Sequence, residues 1–147
     1  MRGIFSFLFG GAKTTAPIRN LDPIEASAAL LVEAALVDGV YANLESDVIA
    51  EILVTSFALD ADAADKMLQR GEELSEHATD THTLSRHVKT LPEAQRESVV
   101  EGLYRVSYAD GEDCKFEESF VRHVASLLHI DDMARIRAKK RAQAASL

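Results

Sequence analysis

From residue 22 onward, apolar positions recur three and four residues apart along nearly the whole chain, the period of α-helices that turn one face inward. Asp22-Pro23-Ile24-Glu25 supplies a capping side chain, a proline at the first helical position and a reciprocal Glu. Ile24, Ala28, Leu31 and Ala35 then share a face, which predicts a first helix from about Pro23 to Val37. Asp38-Gly39 ends it, and Val48, Ile49, Ile52 and Leu53 mark a second helix from about Leu44 to Phe57. Asp60 caps a third, whose stripe of Ala64, Met67, Leu68 and Leu74 is interrupted by Gly71. A shorter fourth from Thr79 to Leu91 carries Leu84 and Val88. Pro92 opens a fifth that runs through Val99, Val100, Leu103 and Val106 to the break at Asp110-Gly111. A sixth spans Phe116 to His129, and Asp131 or Asp132 caps a basic seventh. No stretch sustains the alternation of a strand, so the expected fold is all-α, a compact bundle of about six to seven helices.

The chain also matches itself at a spacing of about 72 residues. Laying LVDGVYANLESDVIAEI over YADGEDCKFEESFVRHV pairs Asp38 with Asp110, Gly39 with Gly111, Leu44 with Phe116 and Glu45 with Glu117. Ile49 and Ile52 fall on Val121 and Val124. The repeated unit is helix, Asp-Gly, loop, Glu, helix, and two such helix-loop-helix units packed together give a pseudo-symmetric bundle.

In each unit the Glu lies four and seven residues before two apolar positions, which puts it at the head of the buried stripe, facing inward. An inward carboxylate has to be satisfied, because leaving it unpaired costs several kcal/mol or keeps it protonated. There are two ways to do so. Glu45 and Glu117 can accept hydrogen bonds from free backbone N-H groups of the preceding loop at the positive end of the helix, with Gly39 and Gly111 as left-handed C-caps. Alternatively Asp38 with Glu45, and Asp110 with Glu117, converge as hard oxygen ligands for Ca²⁺ or Mg²⁺, with Glu112 and Asp113 enriching the second loop. The first loop, Gly-Val-Tyr-Ala-Asn-Leu-Glu, lacks extra acids, so the second is the better cation candidate. Neither loop is an EF-hand, whose acids alternate through twelve residues with Gly at the sixth place; here Gly follows the first Asp directly.

These two segments resemble the paired "A-D-G-x5-E" pattern of the TerB-like tellurite-resistance family, closely in residues 108–124 and in degenerate form in residues 36–52. The resemblance covers residues 22–131. It implies an all-helical, non-enzymatic domain of stress and metal-resistance systems that binds divalent cations through these acids and acts with membrane partners. It also delimits three parts: a flexible basic and apolar tail over 1–21, the helical domain over 22–131 and a basic C-terminal helix over 132–147.

Charge narrows the partners further. The 147 residues carry a net charge of -8, yet residues 1–21 hold three bases and no acid, and Arg135, Arg137, Lys139, Lys140 and Arg141 stand against only Asp131 and Asp132 near the end. An acidic body repels phosphate backbones, which argues against nucleic acid. The basic tails suit peripheral contact with an anionic membrane, IFSFLF at one end and an amphipathic helix with Met133, Ile136 and Lys140 at the other. A solvated terminal helix whose charge suits its own dipole is the plainer account of that second tail.

A single cysteine, Cys114, fits a reducing cytoplasm, and no apolar run reaches the ~20 residues that cross a bilayer. His77, His82 and His87 are spaced by five, which turns each away from the last on a helix and matches no zinc or di-iron pattern. Cys114 lies between Asp113 and Lys115 with no paired His, and no nucleophile elbow, phosphate loop or dinucleotide fingerprint occurs. The expected protein is a cytoplasmic adaptor, with a purely structural protein-protein interaction module lacking any ion as the alternative.

Overall fold

The computed structural model describes residues 21–37, 43–77, 79–109 and 115–145, and within these the side chains of all but residues 43, 44 and 115–117. The described residues form seven helices and no strand: α1 Pro23–Leu36, α2 Asn43–Phe57, α3 Ala61–Glu76, α4 Thr81–Val88, α5 Glu93–Tyr108, α6 Lys115–Leu127 and α7 Asp132–Ala145. The chain is all-α, and no described helix is long and apolar enough to cross a membrane.

Local chemistry fixes where most of these helices begin. Asp22 accepts a hydrogen bond from the Ile24 amide at 2.8 Å ahead of Pro23, and Asp60 accepts from the Ala63 amide at 2.8 Å. The fourth helix starts two residues later than its pattern suggests, because Asp80 caps it through the Thr83 amide at 2.7 Å. Asp131 rather than Asp132 caps α7, accepting from the Ala134 amide at 2.8 Å. His129, with φ of 58°, takes the left-handed conformation that closes α6.

The single inward stripe expected for α1 understates its burial. Nine of its residues, from Ala26 to Ala35, are buried, and the helix packs against α2, α3, α4, α5 and α6. A helix apolar nearly all round is a central helix, and its many alanines let neighbours approach closely. One such close approach is at Gly71 of α3, where an added Cβ would lie 2.7 Å from the Ala28 carbonyl carbon and 2.8 Å from the Ala28 Cβ. Gly71 therefore does not break its helix; it makes room for α1. Gly102 of α5 plays a similar part, with Ile52 Cγ2 at 2.8 Å from the position a Cβ would take.

The last helix is not solvated all round. Ala134, Arg135, Ala138 and Ala142 are buried and seat α7 on α5. Met133 and Ile136 belong to the opposite, outward face.

Candidate functional site

Of the first Asp-Gly…Glu segment, the structure describes the helix that carries the Glu. Glu45 stands in the first turn of α2 and is only 4% exposed, with Ile49 and Ile52 buried four and seven residues later. Its carboxylate is therefore inward, as its spacing predicts. Asp38 lies outside the described residues, as do Asp110, Glu112 and Asp113 and the side chain of Glu117. Among the described residues no three His, Cys, Asp or Glu side chains group closely enough to hold a metal ion.

One residue beyond Glu117 stands a second acid, which the repeated spacing does not mark. Glu118 Oε1 accepts a hydrogen bond from Lys139 Nζ at 2.8 Å, and its Oε2 accepts one from the Tyr104 hydroxyl at 3.1 Å. The Tyr104 hydroxyl in turn accepts from Arg135 Nη1 at 3.0 Å, and the same Nη1 reaches Glu118 Oε2 at 3.5 Å. Arg122, one turn along α6, stands 3.6 Å from Oε2. Tyr104 is fully buried on α5, Arg135 is 7% exposed, and Lys139 caps the Tyr104 ring at 5.7 Å from its centroid. One carboxylate thus gathers three helices, α5, α6 and α7, around a buried arginine.

The electrostatics follow from this geometry. Burial pushes the Glu118 carboxyl up, but the hydrogen bonds from Lys139 and Tyr104 and the charges of Lys139 and Arg135 outweigh it and hold the group below the usual carboxylate range. The hydrogen bond to Glu118 raises Lys139, and burial raises the Tyr104 hydroxyl. Glu76, at the end of α3, behaves oppositely: its Oε1 is buried without a hydrogen-bond partner among the described residues, and burial raises its carboxyl against the opposing charge of His77.

Two further ion pairs join α7 to α5, Arg141 to Glu101 at 2.7 Å and to Glu97 at 3.5 Å. Arg137 and Lys140 have no ion-pair partner among the described residues, and both face outward. Sequence reasoning had one usable signal for this network. Arg135 precedes Ala138 and Ala142 by three and seven residues, so it heads an inward stripe and calls for an inward acid.

The model of one protein family, described as "Tellurite resistance protein TerB", matches residues 24–140, from the first turn of α1 well into α7. Neither the comparison with curated proteins nor that with solved structures yields a match. The family match takes in both Asp-Gly…Glu segments and the Glu118 network, and with the all-helical fold it leads to one conclusion: this chain belongs to the TerB tellurite-resistance family.

Proposed function

We propose that this TerB domain is a non-enzymatic adaptor that holds a divalent cation, Ca²⁺ or Mg²⁺, at its Asp-Gly…Glu joints. It would act in a stress and metal-resistance setting at the inner face of the membrane, with a membrane-associated protein partner. The observation that carries this reading is the inward Glu45, a hard oxygen donor withdrawn from solvent where a helix begins. Asp38 and Glu45 would hold the ion at the first joint. Asp110, Glu112, Asp113 and Glu117 would hold it at the second, where the greater number of acids favours tighter binding. Occupancy would fix the angle between the two helices of each unit, so that ion and partner binding are linked through one rigid joint.

Calorimetric titration with Ca²⁺ and Mg²⁺ tests this. The reading expects saturable heat from the wild type and its loss in Asp110→Asn. Absence of binding below millimolar cation contradicts it.

A second reading, an interaction module with no ion, draws support from α7. Met133 is 69% exposed and Ile136 40% exposed on the face turned away from the bundle, an arrangement suited to a partner's apolar side chains. In that case Glu45 only braces its helix, and the Asp110→Asn variant keeps its partner.

A further inference from the structure

The Glu118 network borders a cleft of about 460 Å³ between α6 and α7. Arg122, Arg135, Lys139 and Lys140 line it, with Glu118 as the acid among them. Ile136 and Gln143 complete the wall. In a chain of net charge -8, four cations around one carboxylate make a local reversal of sign. We propose that this cleft binds the phosphate group of an anionic ligand.

Charge, geometry and volume support the assignment. Arg135 and Lys139 are already held in place by Tyr104 and Glu118, so little side-chain freedom remains to be lost when an anion arrives. Arg122, with its side chain 64% exposed, and the exposed Lys140 line the cleft as accessible donors, and the planar guanidinium of Arg122 matches a phosphate's paired oxygens. A phosphate ester carries about -1.5 to -2 charges near neutral pH, which suits the excess of cations better than a single carboxylate would. The volume lies in the range of small-ligand sites, with room for the phosphate and part of the group that bears it. Ile136, partly exposed beside the cations, offers that group an apolar contact. The acidic remainder of the surface repels an anion elsewhere and directs it here.

The phosphate can come from a soluble ester or from a lipid headgroup, and the site is independent of any cation at the Asp-Gly joints. The test uses the full chain with two probes: inorganic phosphate, followed through backbone amide NMR shifts, and sedimentation with phosphatidylcholine vesicles with or without phosphatidate. Saturable shifts at Arg122, Lys140 and Gln143 without vesicle binding identify a soluble ester. Sedimentation that requires phosphatidate identifies a headgroup.

In either case Arg122→Glu/Lys140→Glu should weaken binding at least about tenfold, since each reversal turns an attraction into a repulsion at close range. The control Lys66→Glu/Lys89→Glu, which makes the same change in net charge at exposed positions on α3 and just beyond α4, should stay within about twofold, because neither residue lines the cleft and salt screens exposed charges. Circular dichroism establishes that both variants are folded. The proposal is overturned if neither probe binds, or if the cleft variant and the control lose binding equally.

Discussion

Replacing Glu118 with Gln keeps the shape of the side chain and removes its charge, which makes Glu118→Gln the sharpest probe of the network that ties α5, α6 and α7 together. The variant amide can still accept from Tyr104, but Lys139 loses its carboxylate partner, and among the described residues the buried Arg135 keeps the Tyr104 hydroxyl and a 3.6 Å approach to the exposed Asp132. Breaking a fully buried pair costs about 3–5 kcal/mol, and an exposed pair contributes about 0–1 kcal/mol. Glu118 and Lys139 are each about one-third exposed, and the direct Arg135 contact is long at 3.5 Å. The expected loss therefore falls between those limits, at about 1.5–3 kcal/mol near pH 7.

The pH dependence has a definite sign. The folded carboxyl lies below its ordinary value, so its contribution is fully present above the unfolded pKa of about 4.3 and disappears as pH falls through the folded one. Urea unfolding followed by circular dichroism should show the largest gap between wild type and Glu118→Gln at pH 7, narrowing through the acid range wherever both proteins fold. A gap under about 0.5 kcal/mol at pH 7, the size of an ordinary surface change, would refute the reasoning, and so would a gap that does not shrink with acid.

Other substitutions have equally definite expectations. Gly71→Ala gains about 1 kcal/mol of helix propensity, but its Cβ meets the α1 backbone at Ala28, so overpacking of about 1–3 kcal/mol or more should leave a net loss in thermal unfolding. His129→Gly should stabilise the fold in thermal unfolding, by up to about 1 kcal/mol, because a non-glycine residue at φ of 58° carries about 1–2 kcal/mol of backbone strain that glycine avoids at some entropic cost. Glu76→Gln should be stabilising at pH 7 in urea unfolding. Its folded carboxyl is raised, so the penalty of charging it is present above the folded pKa and gone below the unfolded one, where wild type and variant should converge.

Much of this architecture was legible because it is written locally. Asp22-Pro23 and Asp60 announce helix starts through a side chain two or three residues from the amide it caps, and the structure has them doing so. Glu45 was legible for a related reason: its place at the head of the Ile49 and Ile52 stripe settles which way it faces without reference to any other helix. Where the pattern fell short, the missing information was tertiary. Alanine has little hydropathy, so the Ala134, Ala138 and Ala142 seam of α7 was overshadowed by Met133 and Ile136, although the small residues are the ones that fit against α5. Gly71 read as an interruption because its purpose lies in the Ala28 backbone, 43 positions earlier in the chain. Glu118 stood beside a Glu that fitted the repeat, and its partners Tyr104, Arg135 and Lys139 become neighbours only when three helices assemble.

If the Asp-Gly…Glu segments of this TerB domain hold a divalent cation, as proposed, a paramagnetic ion will reveal where it sits. With Mn²⁺ added in small amounts to isotope-labelled protein, amide signals are lost first around the bound ion. Early loss is expected at residues 110–118 and then at residues 38–46, with recovery on excess Mg²⁺ or Ca²⁺. Even attenuation over the whole acidic surface, or first loss at the Glu72, Glu73 and Glu76 end of α3, would contradict it.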